Sequence, residues 1–351
     1  MKVLVYGAGA VGGYLGAKLA HQGHDVTLIV RAATAQVIQR QGLSVTEAGQ
    51  TIRVQPTLVT SVAQAFAQRD EVYDLIILGM KSYDVVSAMD PLVAFCPQPK
   101  QIITTQNGIG VERPLIEQFG ADRVIAGSFT IPINKETNHQ LVATRTDCGF
   151  ALAPTADGQD VRPWQSLFSD ADIKTVRLKN YLAMKASKAL LNITANATSA
   201  ILNRPPATIY KSDLMYDLEI KMIKEALAVM DAAGWKVVDL PGPSISGFVT
   251  GVKRLPRFIF KPILTKRVVS GRGDKMPSFY LDLSSGKGKS EVVFHNGAIA
   301  RLGEEHGVST PVNQALTDIL LQLTREEVDW REYDGRPKRL AARVRKYETG
   351  V

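Results

Sequence analysis

Short apolar runs and helical stripes alternate along the first part of the chain. Residues 2–6, 25–30 and 74–79 are mostly apolar runs of strand length. Between the first two, residues 10–22 carry small and apolar side chains at helical spacing. Strands and helices that alternate in this way predict a parallel sheet covered by helices.

The alternation continues to about residue 160. Further helices are expected at 34–41, 84–95 and 111–119, and further strands at 101–106 and 123–133, with extended segments in 51–59 and 139–153. We therefore predict an α/β fold in which residues 1–160 form an N-terminal Rossmann-type, doubly wound parallel sheet.

From residue 163 onward, helical periodicity dominates. The expected helices are 181–201, 212–234, 288–307, 311–325 and 336–348. We predict a C-terminal, mainly α-helical domain over residues 161–330, followed by a basic C-terminal tail over residues 331–351.

A glycine-rich turn joins the first strand to the first helix. Gly7, Gly9 and Gly12 form the G-x-G-x-x-G pattern typical of dinucleotide binding. In that pattern the first glycine permits the turn, the second admits the pyrophosphate and the third allows close helix packing. The predicted cofactor-binding residues here are Gly7, Ala8, Gly9, Ala10, Val11 and Gly12. An ordinary glycine turn is the alternative.

Arg31 ends the second predicted strand, where NAD-binding chains carry an acidic residue that bonds the ribose. A guanidinium suits a 2′-phosphate, which a carboxylate would repel. We therefore predict NADPH/NADP⁺ as the cofactor, with a solvated surface arginine as the alternative.

Two more loops follow predicted parallel strands, at the sheet edge where ligands bind. Lys81 follows one strand and could approach a cofactor phosphate or ribose. Asn107 and Gly108 follow the next strand and could bind the nicotinamide side. Asn-Gly is also a favoured turn pair, and a lysine after a strand is often only solvated.

The composition is that of a globular protein, with 45% hydrophobic and 22% charged residues. We see no signal peptide and no apolar run of membrane-spanning length. Cys96 and Cys148 form neither a metal-ligand spacing nor a disulfide framework, so a cytoplasmic location is expected.

A net charge of +8 suits small anions such as NADPH and carboxylates, and it could equally suit nucleic acid. Much of the excess lies in residues 253–275, where apolar side chains alternate with bases. No nucleic-acid-binding motif is present. We expect part of this stretch to pack on the helical domain, and we expect neither a nucleic-acid nor a membrane partner.

The predicted helix 181–201 contains two lysines and two asparagines among apolar residues. Lys188, Asn192 and Asn196 are four residues apart and would lie on one face of a continuous helix. Asparagine disfavours helix interiors, so these amides are expected to bond a group outside the helix. Satisfied core polar groups are the alternative, and spacing alone does not choose between Lys185 and Lys188.

A later segment carries Lys275, Ser278 and Asp282, then Ser290, Glu291, Asn296 and Gly297. Ser290 or Ser285 could begin a helix, which would place Glu291 in its first turn. A helix-end acid without any chemical role is the alternative for Glu291.

Taken in order, these motifs and the Thr310-Pro311-Val-Asn313 helix start resemble the ketopantoate reductase family (2-dehydropantoate 2-reductases) up to about residue 325. The resemblance implies a Rossmann domain and a helical domain, with the active site in the cleft between them. It implies Lys188 as general acid, Glu291 as its partner, and Asn192, Asn196 and Ser278 as substrate-binding residues.

Two positions depart from the pattern of this family. Lys275 and Pro206 stand where well-studied members have asparagines. Lys275 is therefore a further candidate substrate-binding residue. The expected activity is NADPH-dependent reduction of a 2-keto acid, most simply ketopantoate to (R)-pantoate in pantothenate biosynthesis. The alternatives are a different 2-keto acid or carbonyl substrate, and a non-catalytic NADP(H)-sensing protein. A homodimer is compatible with the sequence.

Overall fold

The computed structural model describes residues 1–67, 72–272 and 275–350, without the side chains of residues 271 and 272. The chain divides into two compact units, Met1–Met184 with Asp239–Pro243, and Lys185–Val238 with Ser244–Val351. The first unit therefore extends beyond the predicted boundary at residue 160. Beyond residue 160 this unit contains a further helix and a further strand, and the strand lies at the edge of its main sheet.

Twelve strands are described in the first unit. They are β1 (Lys2–Tyr6), β2 (Asp25–Ile29), β3 (Leu43–Glu47), β4 (Gln50–Val54), β5 (Thr57–Val59), β6 (Leu75–Leu78), β7 (Ile102–Thr104), β8 (Val124–Phe129), β9 (Ile133–Lys135), β10 (Gln140–Ala143), β11 (Phe150–Pro154) and β12 (Thr175–Arg177). Its helices are α1 (Ala10–His21), α2 (Ala32–Gln41), α3 (Val62–Ala65), α4 (Val85–Phe95), α5 (Glu112–Phe119) and α6 (Arg162–Asp170), with 3₁₀ turns at Ser82–Asp84 and Ala121–Arg123.

The main sheet has eight strands in the order β12-β11-β8-β7-β6-β1-β2-β5. All neighbouring pairs are parallel except β11 with β8. Val5 of β1 pairs with Leu28 on one side and Ile77 on the other, and all three are fully buried. Such continuous apolar burial is expected of parallel strands covered on both faces. The predicted doubly wound sheet is confirmed.

A second, four-stranded sheet has the order β4-β3-β10-β9. Residues 51–59 and 123–133, each predicted as a single extended segment, are divided between the two sheets. Pro56 lies between β4 and β5, and Pro132 lies between β8 and β9. A proline has no N–H group for a sheet ladder, so each strand ends before it.

The second unit is helical. Its helices are α7 (Tyr181–Ile193), α8 (Ala197–Leu202), α9 (Pro206–Lys211), α10 (Asp213–Ala232), α11 (Ile245–Arg254), α12 (Arg257–Arg272), α13 (Ser278–Ser284), α14 (Asn296–Glu305), α15 (Pro311–Thr324) and α16 (Pro337–Thr349), with 3₁₀ turns at Glu291–Phe294 and Trp330–Glu332.

Two predicted helices need correction. The predicted helix 181–201 is interrupted between α7 and α8, where Ala195 has φ +49°. The predicted helix 288–307 begins only at Asn296, after the 3₁₀ turn Glu291–Phe294. Asn196 therefore does not continue the face of α7.

The predicted C-terminal tail, residues 331–351, is largely helix α16. Leu340, Ala341 and Val344 are buried, and α16 contacts α10 and α15. Burial of a helical stripe stabilises a helix that is otherwise polar. This segment is therefore an integral part of the second unit.

The basic stretch 253–275 includes residues 273 and 274, which lie outside the described residues. Its described part forms the end of α11 and all of α12. Phe260, Leu264 and Val268 are buried at four-residue spacing, and α12 contacts α9. The expected packing on the helical unit is therefore observed. Among the described residues, no helix is long and apolar enough to cross a membrane.

Candidate functional site

The glycine loop after β1 is held by close backbone contacts. Gly7 has φ +93°, and a Cβ atom there would lie 2.7 Å from the backbone nitrogen of Met80. A Cβ atom on Gly12 would lie 2.4 Å from the carbonyl oxygen of Gly7. Neither position admits a side chain without movement of backbone. The loop is thereby fixed against the end of β6.

Gly9 differs from these two glycines. Its φ is −74°, and the nearest atom to a Cβ there would be the Gly79 carbonyl oxygen, at an ordinary 3.8 Å. The fold of this unit therefore has room for a side chain at Gly9. A glycine here leaves space in which a ligand can approach the backbone closely.

Gly9 is also the N-cap of α1. No side chain caps this helix, and its first turn contains no acidic residue. The first N–H groups of a helix lack intrahelical acceptors and carry the positive end of its dipole. This terminus, with Ala8, Ala10 and Val11 beside it, can therefore accept a pyrophosphate.

Arg31 lies two residues after the end of β2 and is exposed. It is the N-cap residue of α2, and its side chain does not cap that helix. The guanidinium stands at the carboxyl edge of the sheet, where an adenosine ribose is expected in this type of fold.

The loops after β6 and β7 are tied together. Gln106 Nε2 donates to the carbonyl oxygens of Leu78 at 2.8 Å and Met80 at 3.1 Å. Ser82 Oγ donates to the Asn107 carbonyl oxygen at 2.8 Å. Gln106 and Ser82 thus fix the two loops on which Lys81, Asn107 and Gly108 lie. Neither residue was predicted from the sequence, because each acts through a tertiary hydrogen bond.

In the second unit, Lys185 and Lys188 of α7 are both buried, with exposed fractions of 2% and 8%. Lysine is almost never buried without a partner or a function. Asn192 lies one helical turn after Lys188, and its Nδ2 atom is buried without a hydrogen-bond partner among the described residues. An amide donor in this position is available to a ligand oxygen.

Asn196 lies in the break between α7 and α8 and is buried. Its Nδ2 atom donates to the Asn192 carbonyl oxygen at 3.0 Å and to Ser278 Oγ at 3.2 Å. Its Oδ1 atom accepts from the Phe279 backbone N–H group at 3.1 Å. The break therefore joins Asn196 to the start of α13, which a continuous helix would not do.

A buried carboxylate holds this break. Glu219 of α10 is fully buried and accepts from the Ala195 backbone N–H group at 2.7 Å. It also accepts from Thr198 Oγ1 at 2.6 Å and from the Tyr210 hydroxyl at 3.1 Å. Hydrogen bonds to a buried charged acceptor are strong, so Glu219 stabilises the positive φ of Ala195.

The far end of α13 carries Asp282, which is buried. Its Oδ2 atom accepts from the Glu291 backbone N–H group at 3.3 Å. Ser290 Oγ accepts from Val292 N at 3.3 Å and so caps the 3₁₀ turn that Glu291 begins. Glu291 is itself only 4% exposed, whereas Lys275, which precedes α13, is exposed.

Two other motif residues have a structural role. Asn296 Nδ2 donates to Asn313 Oδ1 at 3.0 Å, and Asn313 Nδ2 donates to Glu225 Oε2 at 2.7 Å. Burial raises the pKa of Glu225, which these hydrogen bonds oppose. This buried network joins α10, α14 and α15.

Two family models match this chain. The family model for ketopantoate reductase PanE/ApbA matches residues 3–150, and the model for the C terminal of the same family matches residues 180–324. The 2-dehydropantoate 2-reductase of Pyrococcus horikoshii is 27% identical over 315 residues, which cover 89% of this chain and 94% of that protein.

Solved structures share the fold. A PanE/ApbA family ketopantoate reductase from Ralstonia eutropha matches with a TM-score of 0.76 at 23% identity, over 93% of this chain and 99% of that one. D-mandelate dehydrogenase with NADH and anilino(oxo)acetate matches with a TM-score of 0.74 at 22% identity, over the same shares. The two family models together span most of the sequence. The chain therefore belongs to the ketopantoate reductase PanE/ApbA family and is an oxidoreductase that uses a nicotinamide cofactor.

Proposed function

We propose that this protein reduces 2-dehydropantoate to (R)-pantoate with NADPH, a step of pantothenate and coenzyme A biosynthesis. The observation that carries the proposal is the buried Lys188 one helical turn before Asn192, whose Nδ2 atom has no hydrogen-bond partner among the described residues. A cation and an amide donor on one helix suit a substrate that has a carbonyl oxygen and a neighbouring carboxylate.

The cofactor assignment rests on the first unit. The uncapped N-terminus of α1 accepts the pyrophosphate, and the space at Gly9 lets it approach. Arg31 reads the 2′-phosphate, which favours NADPH over NADH. Lys81, Asn107 and Gly108 contact the remaining part of the cofactor. When bound, NADPH supplies a hydride to carbon 2 of the keto acid.

Lys188 is the proposed general acid. Negative charge grows on the carbonyl oxygen as carbon 2 is reduced, and the ammonium stabilises that charge and donates the proton. Asn192, Asn196 and Ser278 orient the carboxylate and hydroxyl groups of the substrate. Glu291 holds the lysine and contacts a substrate hydroxyl.

Lys275 replaces an asparagine three residues before Ser278, and this departure from the family pattern concerns which acid is reduced. D-mandelate dehydrogenase, a solved structure that shares this fold and contains NADH and anilino(oxo)acetate, is named for a 2-hydroxy acid other than pantoate. A second candidate function is therefore reduction of another 2-keto acid in the same site.

The test is NADPH oxidation by the purified protein with a panel of 2-keto acids that includes ketopantoate, pyruvate and phenylglyoxylate. The proposal predicts the highest kcat/KM with ketopantoate. A higher value with another keto acid would support the second candidate. Tight NADPH binding without turnover of any acid would instead indicate a non-catalytic NADP(H)-sensing protein.

A further inference from the structure

Lys135 is a cation that the proposed function has not used. It is the last residue of β9, at an edge of the four-stranded sheet, and is exposed. Its register partner across the antiparallel pair is Leu141 of β10. Side chains of directly paired residues leave the same face of a sheet.

The position of Leu141 shows which face this is. Leu141 is buried, and its Cδ1 atom lies 3.0 Å from where a Cβ atom on Gly13 would be. Gly13 lies in the first turns of α1, and β9 itself contacts α1. The Lys135 side chain therefore leaves the sheet on the α1 side, beside the helix that begins at Gly9.

The electrostatics of Lys135 indicate a second cation close by. Although Lys135 is exposed, partial desolvation by neighbouring protein atoms lowers the pKa of its ammonium, and the positive charge of Arg31 lowers it further. Neither Lys135 nor Arg31 forms an ion pair with an acidic side chain of the described residues. Glu47 of β3, a strand that β10 separates from β9, instead accepts from Tyr14 at 3.0 Å and Lys18 at 3.3 Å.

The positive charge of Arg31 thus acts on Lys135, whose side chain leaves its sheet beside α1, and neither cation forms an ion pair with a described residue. Such an arrangement is unfavourable until an anion binds, and a phosphate dianion would relieve it.

We propose that Lys135 is a second binding residue for the 2′-phosphate of NADPH, acting together with Arg31. The inference rests on the proposed NADPH preference and adds a cofactor-specificity residue to it. Arg31 contributes a planar fork for phosphate oxygens, and Lys135 contributes a point charge from the neighbouring sheet. The competing explanation is an edge-strand lysine that only discourages sheet aggregation.

The experiment measures binding of adenosine 2′,5′-bisphosphate and of AMP by titration calorimetry to the full-length protein. The variants are Lys135→Gln, Arg31→Ala, the double variant, and Lys174→Gln as a control. Lys174 is an exposed lysine directly before β12. β12 is the strand at one edge of the main sheet, and β2 lies near the other edge. Lys174→Gln therefore removes the same charge from the same unit at a distant place.

Lys135→Gln is expected to weaken binding of the bisphosphate about tenfold, the scale of one charge-assisted contact, and to leave AMP binding unchanged. Lys174→Gln should change neither. The double variant should lose most of the preference for the bisphosphate over AMP. Kinetically, Lys135→Gln should raise the KM for NADPH and not that for NADH.

Two results overturn the inference, and they differ from each other. If Lys135→Gln behaves like Lys174→Gln while the unmodified protein prefers the bisphosphate, Lys135 is only an edge lysine and the NADPH preference stands. If the unmodified protein binds AMP as tightly as the bisphosphate, the NADPH preference fails and this inference fails with it.

Discussion

The glycine loop after β1 and the break between α7 and α8 both expose polar groups by interrupting a regular element, but by different means. The loop depends on the absence of side chains at Gly7 and Gly12, where backbone atoms approach closely. The break depends on Glu219, a buried carboxylate that lies 24 residues after Ala195 and accepts the N–H group of that residue.

This difference explains what the sequence could predict. A glycine loop is a local pattern, since each residue type follows from the backbone geometry at its own position. The break has no such pattern, because the stretch around Ala195 contains neither glycine nor proline. Its conformation follows from a tertiary hydrogen bond, which overrides local helix propensity.

The largest expected effect concerns α7. Lys188→Ala should lower kcat by about 10²-fold or more, the scale of a positioned general acid, while NADPH still binds. Lys185→Ala, one turn earlier in the same buried helix, should be mild in comparison if the variant folds. Steady-state kinetics and NADPH titration measure both effects. The reverse result would mean that the two lysines have been assigned in the wrong order.

Glu219→Ala should be the most destabilising change at the break. It leaves the N–H group of Ala195 and the hydroxyls of Thr198 and Tyr210 without their buried acceptor, which should cost about 3 kcal/mol or more of unfolding free energy. Glu304→Ala, at an exposed position of α14, should cost less than about 0.5 kcal/mol.

Urea unfolding measures these free energies. In the surviving folded fraction, Glu219→Ala should raise the KM for the keto acid, because Asn196 is displaced, and leave NADPH affinity unchanged. Equal stability of the two variants would contradict the role given to Glu219.

The glycines of the loop offer a matched pair. Gly12→Ala places a Cβ atom 2.4 Å from the Gly7 carbonyl oxygen, so it should destabilise the protein by about 1–3 kcal/mol. Gly9→Ala meets only an ordinary 3.8 Å contact, so it should fold normally and still bind NADPH about tenfold more weakly. Thermal melts and NADPH titration separate the two outcomes. Unchanged NADPH binding by Gly9→Ala would place the pyrophosphate elsewhere.

The smallest expected effect is at Lys275. Lys275→Asn, which introduces the residue commoner in this family, should change the order of kcat/KM among 2-keto acids by a few fold, because it removes a charge that can pair with a carboxylate. NADPH affinity should stay the same, since the first unit is untouched. An unchanged order of substrates would remove Lys275 from the candidate site.

Much of the first unit could be predicted from the sequence, because its strands and helices have strong local periodicity. The four-stranded sheet was not predicted, since it forms only when β3 pairs with β10, a partner distant in the chain. Lys135 was not predicted because its position beside α1 depends on the tertiary packing of β9 against α1.

The second unit was predicted less well. The helical class and the candidate residues were identified, but α7 and α8 were merged and the start of α14 was placed too early. The role of Glu219 could not be predicted from the sequence, because a single acid in an amphipathic helix does not differ locally from a solvated one.

In the first unit, the role of Gly79 could have been predicted, because it is a glycine at the end of a predicted strand. It packs closely against both Gly7 and Gly12.

The most direct test of the central claim follows the hydride itself. NADPH that carries deuterium at the transferable position of the nicotinamide is incubated with ketopantoate and the protein, and the product is analysed by mass spectrometry and NMR. The account predicts pantoate with one deuterium on carbon 2, where it does not exchange with water. Consumption of labelled NADPH with no deuterium in pantoate, or no consumption at all, would contradict it.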